Sequence, residues 1–370
     1  MEGWSRAEAR SWSASRPWVC GFNFIPSTAV NFLEMWHADS FDRSTIEREL
    51  GWAAEIGFNA IRINTHFLVW QHDRDGLLER LDWVMAVAAR SGIDTVPCLF
   101  DDCGFGGLEP EYGPQPDPLP GVHNSRAVAS PGRALVMDRR RWNAFESYLR
   151  DIVRTFHTDE RVLFWDLYNE PGNRMIFRSD GYSEYEPALT GYSHALMEAS
   201  FRWARAESPS QPLTVAAWST PLPGSGLPPY QTETDAAALA LSDIVSFHAY
   251  WDAAHVSRFI AHLETLDRPM FCTEWMARAV DSRIDDQLPL FRDRGIGCFQ
   301  WGFVRGRTQT HLPWPAELVA TNGGVATADL WFHDVLHQDG RPYDPKEIET
   351  VKELTEPYRR KLRNMGETSR

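Results

Sequence analysis

Eight short apolar runs, rich in β-branched and aromatic residues, recur along the chain with helical patterns between them. They are VCGFNFIPS from 19, FNAIRIN from 58, IDTVPCLF from 93, VLFWDLYNE from 162, PLTVAAW from 212, DIVSFHAY from 243, PMFCTEW from 269 and GCFQWGFV from 297. Strands joined through helices pair in parallel, and eight is the number that closes a (β/α)8 barrel. The competing α/β architecture is an open doubly wound sheet, which usually carries a glycine-rich turn after its first strand. Here that stretch reads GFNFIPS, without GxGxxG, and no GxxxxGK[ST] occurs elsewhere. The expectation is one α/β domain over 1–370, a (β/α)8 TIM barrel with its core over about 19–304 and a C-terminal loop and closing helix over 305–365.

The helices between the runs are legible. STIERELGWAAEIG sets Ser44 and Glu47 in capping-box spacing, repeats Ile46, Leu50, Ala53 and Ala54 on one face, and stops at Gly57. GLLERLDWVMAVAARSG puts Leu77, Leu81, Val84 and Ala88 on one stripe and ends at Gly92. Four Pro/Gly-rich stretches, 101–138, 171–187, 218–232 and 305–345, are longer than barrel connections need. In a barrel they emerge at the C-terminal mouth, where active sites are built. They are expected to close that mouth into a pocket.

Composition narrows the partners. Lys plus Arg total 37 against 51 Asp plus Glu, a net charge of -14, which disfavours nucleic acid and anionic lipid alike. No apolar run reaches membrane-spanning length, and MEGWSRAEARSWSASRPW has no apolar core or small-residue cleavage site. The five cysteines, Cys20, Cys98, Cys103, Cys272 and Cys298, are odd in number and lack CxxC spacing. They are expected to be buried free thiols in a reducing compartment, so a cytoplasmic location is expected. Oligomeric state is not readable.

Glu170 ends the fourth run, in WDLYNEP, and Glu274 ends the seventh, in FCTEW. Both carboxylates therefore project into the mouth from opposite sides of one barrel. Two facing carboxylates are the equipment of glycosidic bond cleavage, one protonating the leaving oxygen while the other attacks or stabilises the anomeric carbon. Either glutamate alone could be an ordinary ion-pair partner. The pair points to chemistry.

WDLYNEP followed about a hundred residues later by TEW resembles glycoside hydrolase family 5 and its relatives in clan A, over the whole barrel and into the tail WFHDVLHQDGRPYDP. The resemblance implies a retaining glycosidase that cleaves β-glycosidic bonds without a cofactor or a metal. In it Glu170 is the general acid/base, Glu274 the nucleophile, and Asn169 the partner of the sugar 2-hydroxyl. Arg62 matches the arginine beside the nucleophile, His248 and Tyr250 the sixth-strand His-x-Tyr, and Trp301 the tryptophan flooring the cleaved sugar. Arg62 also reads as an interior ion pair, His248 as a satisfied core histidine and Trp301 as packing. With Arg62 and Tyr250 beside it, Glu274 is expected to be the more acidic carboxyl and Glu170 the less acidic.

One departure stands out. Where many members of that family carry a third-strand histidine, this chain reads LFDDCGFGG, with His123-Asn124 in the following loop. Asp101 or Asp102 either accepts sugar hydroxyls or forms a loop turn. Of 16 tryptophans, Trp70, Trp218, Trp251, Trp275 and Trp301 directly follow strand runs. Trp36 and Trp314 lie in loops after the first and eighth. Aromatic faces suit the C–H faces of pyranose rings, so Trp36, Trp275 and Trp314 join the expected carbohydrate contacts.

The rival chemistries lack their signatures: no HExxH, no HxH on a strand and no GxSxG occurs. With four long loops to wall the mouth and no export signal visible, the expected activity is exo-action on oligosaccharides or glycosides. An endo-acting β-glycanase of cellulase, mannanase or xylanase type is the alternative, followed by a transglycosylase and a non-catalytic carbohydrate-binding barrel.

Overall fold

The computed structural model describes residues 3–222, 224–327 and 329–367, with side chains to 356. The extreme ends of the expected 1–370 domain lie outside the described residues. The eight runs form eight strands: β1 (Cys20–Asn23), β2 (Ala60–Asn64), β3 (Asp94–Asp101), β4 (Trp165–Asn169), β5 (Leu213–Thr214), β6 (Val245–His248), β7 (Met270–Trp275) and β8 (Gly297–Gln300). All pair in parallel in the order β5-β4-β3-β2-β1-β8-β7-β6. Closure lies between β5 and β6, where Ala217 pairs with Phe247. There the Ala217 amide donates to Ser246 O at 3.0 Å and the His248 amide to Ala217 O at 2.9 Å. The sheet is a closed (β/α)8 barrel.

β5 is much shorter than its run. Beyond Thr214 the ladder breaks because the Val215 amide is taken by the Ser242 hydroxyl at 3.1 Å, and pairing resumes only at Ala217. Helix Arg43–Ile56 also starts differently from the expected capping box. Asp42 is its N-cap, accepting from the Thr45 amide at 3.1 Å, and Ser44 instead donates to Asp42 at 2.7 Å. An ionised carboxylate is the stronger acceptor at the positive helix end. Gly57 closes that helix with φ 114°, a left-handed conformation that glycine adopts without strain. Helix Arg74–Arg90 buries Leu77, Leu81, Val84 and Ala88 against the barrel, as its stripe predicts.

The N-terminal segment has a structural role that the sequence reading did not assign. Helix Arg6–Ala14 carries a true capping box, Ser5 with Glu8. It seals the bottom of the barrel, with Ala9, Trp4 and Trp12 packed against Val19, Phe164, Phe271 and Phe299. At the other end, the 171–187 loop folds into a hairpin, Met175–Arg178 with Gly181–Glu184. The tail after β8 returns to it through a parallel bridge between Val304 and Leu336, which brings His333 over the mouth. The C-terminal helix Pro345–Glu367 follows, anchored by Arg278 to Glu347. All five cysteines are buried and free. Among the described residues no helix is long and apolar enough to cross a membrane.

Candidate active site

β4 delivers Asn169 and Glu170 to the mouth. Glu170 stands immediately after the strand with φ 44°, an uncommon conformation for a residue with a Cβ that marks a constrained site. The turn is pinned by Asp102, which accepts from the Gly172 amide at 2.7 Å, the Tyr168 hydroxyl at 2.9 Å and the Ser193 hydroxyl at 2.5 Å. Glu170 in turn accepts from Asn173 Nδ2 at 2.6 Å, from the Cys103 thiol at 3.1 Å and from His248 Nδ1 at 2.9 Å. Burial keeps that thiol protonated by pushing its pKa up, so Cys103 is a donor to the carboxylate.

Glu274 projects from β7 toward the same space. Its two oxygens accept from Arg62 at 3.0 Å and from the Tyr250 hydroxyl at 2.8 Å. Arg62 is fully buried and spreads its fork over Asp166, Asn23, Glu274 and Asn169 at 2.6–3.0 Å. Both sequence readings of Arg62 hold together, since it is an interior ion pair with Asp166 and the cation beside Glu274. A guanidinium buried here requires both carboxylates to offset its desolvation. Asn169 is fixed by Arg62 on its oxygen and by Asp101 on its nitrogen at 2.9 Å, so its amide orientation is set before any ligand arrives.

His248 lies between the two glutamates, 2.9 Å from Glu170 and 3.7 Å from Glu274. Burial works against its charge, but Glu274 and Glu170 together hold its pKa above the ordinary histidine value. For Glu170 burial is outweighed by the hydrogen bond and charge of His248, and its pKa falls below the usual carboxylate value. For Glu274 burial prevails, the charge of Glu170 adds to it, and the pKa rises against His248, Arg62 and Tyr250. This reverses the order expected from sequence. The physical reason is the off-centre imidazole, which is nearer Glu170 than Glu274.

Glu170, His248 and Glu274 bring ligand atoms within 4.8 Å of one another. A cation there would have to displace the imidazole proton and sit close to the charge of Arg62. The donor set suits proton sharing better than metal binding.

These groups open into a cavity of about 310 Å³, at the small end of ligand pockets. All four long loops contribute walls, including Phe105, Phe177, Trp218 and Trp314. Trp301, Trp251, Tyr250 and Asn169 also line it. Three expected contacts lie elsewhere. Trp36 is fully buried, donates to Asn64 O at 2.6 Å and stacks on Phe41, so it is a packing residue. Trp275 follows an inward Glu274 on a strand, so alternation turns it outward onto Phe291. Asp102 is spent on the β4 turn, and Asp101 on Asn64, Asn169 and the Cys103 amide. Trp70, which also follows a strand run, sits on the outer helix Phe67–His72 and bonds Asp151.

Asp166, Asn173 and His333 were missed by sequence reasoning, and Cys103 and His123 were named there without a role in the site. Asp166 had a usable signal, because it is the one charged residue in the otherwise apolar stretch 162–168. The others sit in loops without periodicity.

No family model matches the sequence, and no curated protein matches it. Solved structures do. The chain is similar to GH5_18 from Streptomyces cattleya, solved in complex with GlcNAc, at TM-score 0.58 and 16% identity, covering 93% of this chain and 81% of that one. It is similar to the exo-β-1,4-mannosidase Op5Man5 from Opitutaceae bacterium strain TAV5 at TM-score 0.56 and 16% identity, over 93% of this chain and 60% of that one. The endo-β-1,4-mannanase from Thermotoga petrophila matches at TM-score 0.53 and 15% identity, over 91% of this chain and 77% of that one. At such identities the likeness is one of fold.

Proposed function

We propose that the chain works as a single catalytic domain, a retaining β-glycosidase of the family 5 type that acts by double displacement on the terminal sugar of oligosaccharides or small glycosides. The observation that carries this reading is the spacing of the carboxylates. An oxygen of Glu170 lies within 4.8 Å of one of Glu274, near the ~5–5.5 Å of retaining pairs and well short of the ~6.5–9.5 Å of inverting ones.

In the first step Glu274 attacks the anomeric carbon while Glu170 protonates the departing oxygen. The glycosyl ester on Glu274 is then attacked by water, whose proton Glu170 takes back. The reaction starts with Glu170 protonated and Glu274 ionised. His248 Nδ1, 2.9 Å from Glu170, is placed to lend that acid its proton. Its transfer leaves a neutral imidazole and an acid in place. Arg62 and the Tyr250 hydroxyl hold the ionised Glu274 in position. Trp301 offers an aromatic face to the sugar, and Asn169 and Trp314 complete the surrounding contacts.

Enclosure by four loops supports exo-action over an open groove. The names of the fold neighbours, an exo-β-1,4-mannosidase and an endo-β-1,4-mannanase among them, make β-mannosides the first substrates to try. Five free buried thiols support a cytoplasmic setting, in which small glycosides rather than polymers are met. The test is hydrolysis of an aryl β-glycoside panel with NMR of the first-formed sugar. β-Anomer first is expected, whereas α-anomer first would rule out double displacement. Release of internal fragments from a mannan would replace exo-action with the endo alternative.

A further inference from the structure

Two histidines unused by this mechanism line the same cavity. His123 comes from the loop after β3 and His333 from the tail after β8, and their rings lie 5.2 Å apart at 67°. They are 2% and 1% exposed. Each commits Nδ1 to a carbonyl, His123 to Leu312 O at 2.7 Å and His333 to Met276 O at 2.5 Å. A carbonyl only accepts, so Nδ1 carries the proton in both rings. Burial pushes the His123 pKa down to about 4 and that of His333 well below the ordinary value. Neither ring holds a second proton at neutral pH, and each Nε2 presents a bare lone pair. Among the described residues no protein group donates to either Nε2, and neither atom is sealed from the cavity that both rings line. A ligand that covers such an acceptor without offering a donor leaves it unpaired, at a cost of about 1–3 kcal/mol.

We propose that His123 and His333 form a hydroxyl-reading wall for a neutral sugar, each Nε2 accepting from one hydroxyl. This assignment rests on the cavity being the sugar site. Packing fixes the acceptors, since His123 meets Phe177 edge-on at 5.8 Å and His333 lies 6.0 Å from Trp314. A lone pair held this way rewards a hydroxyl donor. It penalises a deoxy position, which leaves the acceptor unpaired, and a uronate carboxylate, which sets lone pair against lone pair. The wall thereby selects uncharged, fully hydroxylated sugars.

The test combines monodeoxy and uronic forms of the aryl glycoside that the wild type cleaves with the variants H123F and H333F. One deoxy position is expected to cost the wild type about 10- to 100-fold in kcat/KM, and to cost nothing further in the variant lacking its reader. Uronides should be cleaved at least about 100-fold more slowly. Equal deoxy penalties in wild type and variants, or a preferred uronide, would overturn the proposal. Long-range proton–nitrogen NMR of the wild type decides it without variants or turnover. Both rings should show a bare Nε2 at pH 7 whose nitrogen shift moves when methyl glycosides bind. Resonances unmoved by every methyl glycoside would overturn the wall. If the wild type cleaves no glycoside yet these resonances move, the hydrolase reading fails and the sugar wall stands.

Discussion

Glu170 Oε1 accepts a hydrogen bond from His248 Nδ1 at 2.9 Å, so the carboxyl proposed to deliver a proton has an N–H donor in direct contact. The two carboxylates and the imidazole titrate as one unit, and the limbs of a pH profile belong to that unit. His248 holds its proton more firmly than an ordinary histidine because both glutamates face it. With H248N the proton must reside on a carboxyl, which releases it more easily. The basic limb of kcat/KM should therefore move to lower pH, read from profiles of wild type and variant on one aryl glycoside. An unmoved limb would show that the proton sits elsewhere.

The two glutamates are separated by their response to the leaving group. E170A should lower kcat/KM by about 10²–10⁴ on glycosides with poor leaving groups and far less on activated aryl glycosides. Azide should restore turnover of E170A as the β-glycosyl azide, entering from the vacated face. E274A should lose turnover of both substrate kinds and yield the α-azide on rescue. An α-azide from E170A would exchange the roles.

The tryptophans divide by position. W301A should lower kcat/KM by about 10- to 100-fold with an almost unchanged Tm, because Trp301 lines the cavity. W36A should cost about 3–5 kcal/mol of stability while the folded fraction keeps its activity, because Trp36 is wholly buried in the core. Thermal melts and active-site titration by a covalent glycoside inhibitor distinguish the two outcomes.

Glu49 is buried beneath the loop after β1, where it accepts from the Ser27 amide and hydroxyl. Burial pushes its pKa from 4.5 up to about 7. A carboxyl raised in the folded state contributes stability that is fully present below its unfolded pKa and lost as pH rises through the folded one. Relative to E49Q, the wild type should lose up to about 3 kcal/mol between pH 4.5 and pH 7. Denaturant melts across that window check this, and parallel curves would refute it.

The barrel was legible because strand and helix periodicity are local properties. The eight runs, the stripe of Leu77 to Ala88 and the stop at Gly57 all follow from residue spacing. Glu170, Glu274, Arg62, His248 and Tyr250 were visible because strand ends must point at the mouth. The structure brings these five together. Trp36 and Trp275 misled because tryptophan serves packing and sugar binding equally, and only strand alternation or tertiary burial tells which. His123 and His333 lie 210 residues apart in sequence and meet through two irregular loops. No local pattern encodes such a meeting. The reversed acidity of the glutamates is a similar case, since it depends on the lateral placement of one imidazole.

Among the barrel's neighbouring strands, β5 and β6 are joined by a lone bridge at Ala217 and Phe247, whereas the other pairs have ladders. A sheet that breathes opens first where it is least laced. The strand beside this gap carries His248, and the cavity walls on its two flanks are Trp218 and Trp251. A sugar seated between those tryptophans would act as a clasp across the slit. Occupancy would then slow amide exchange at Ala217 and His248 more than in β2 or β3, and the ligand would toughen the barrel at its own doorway.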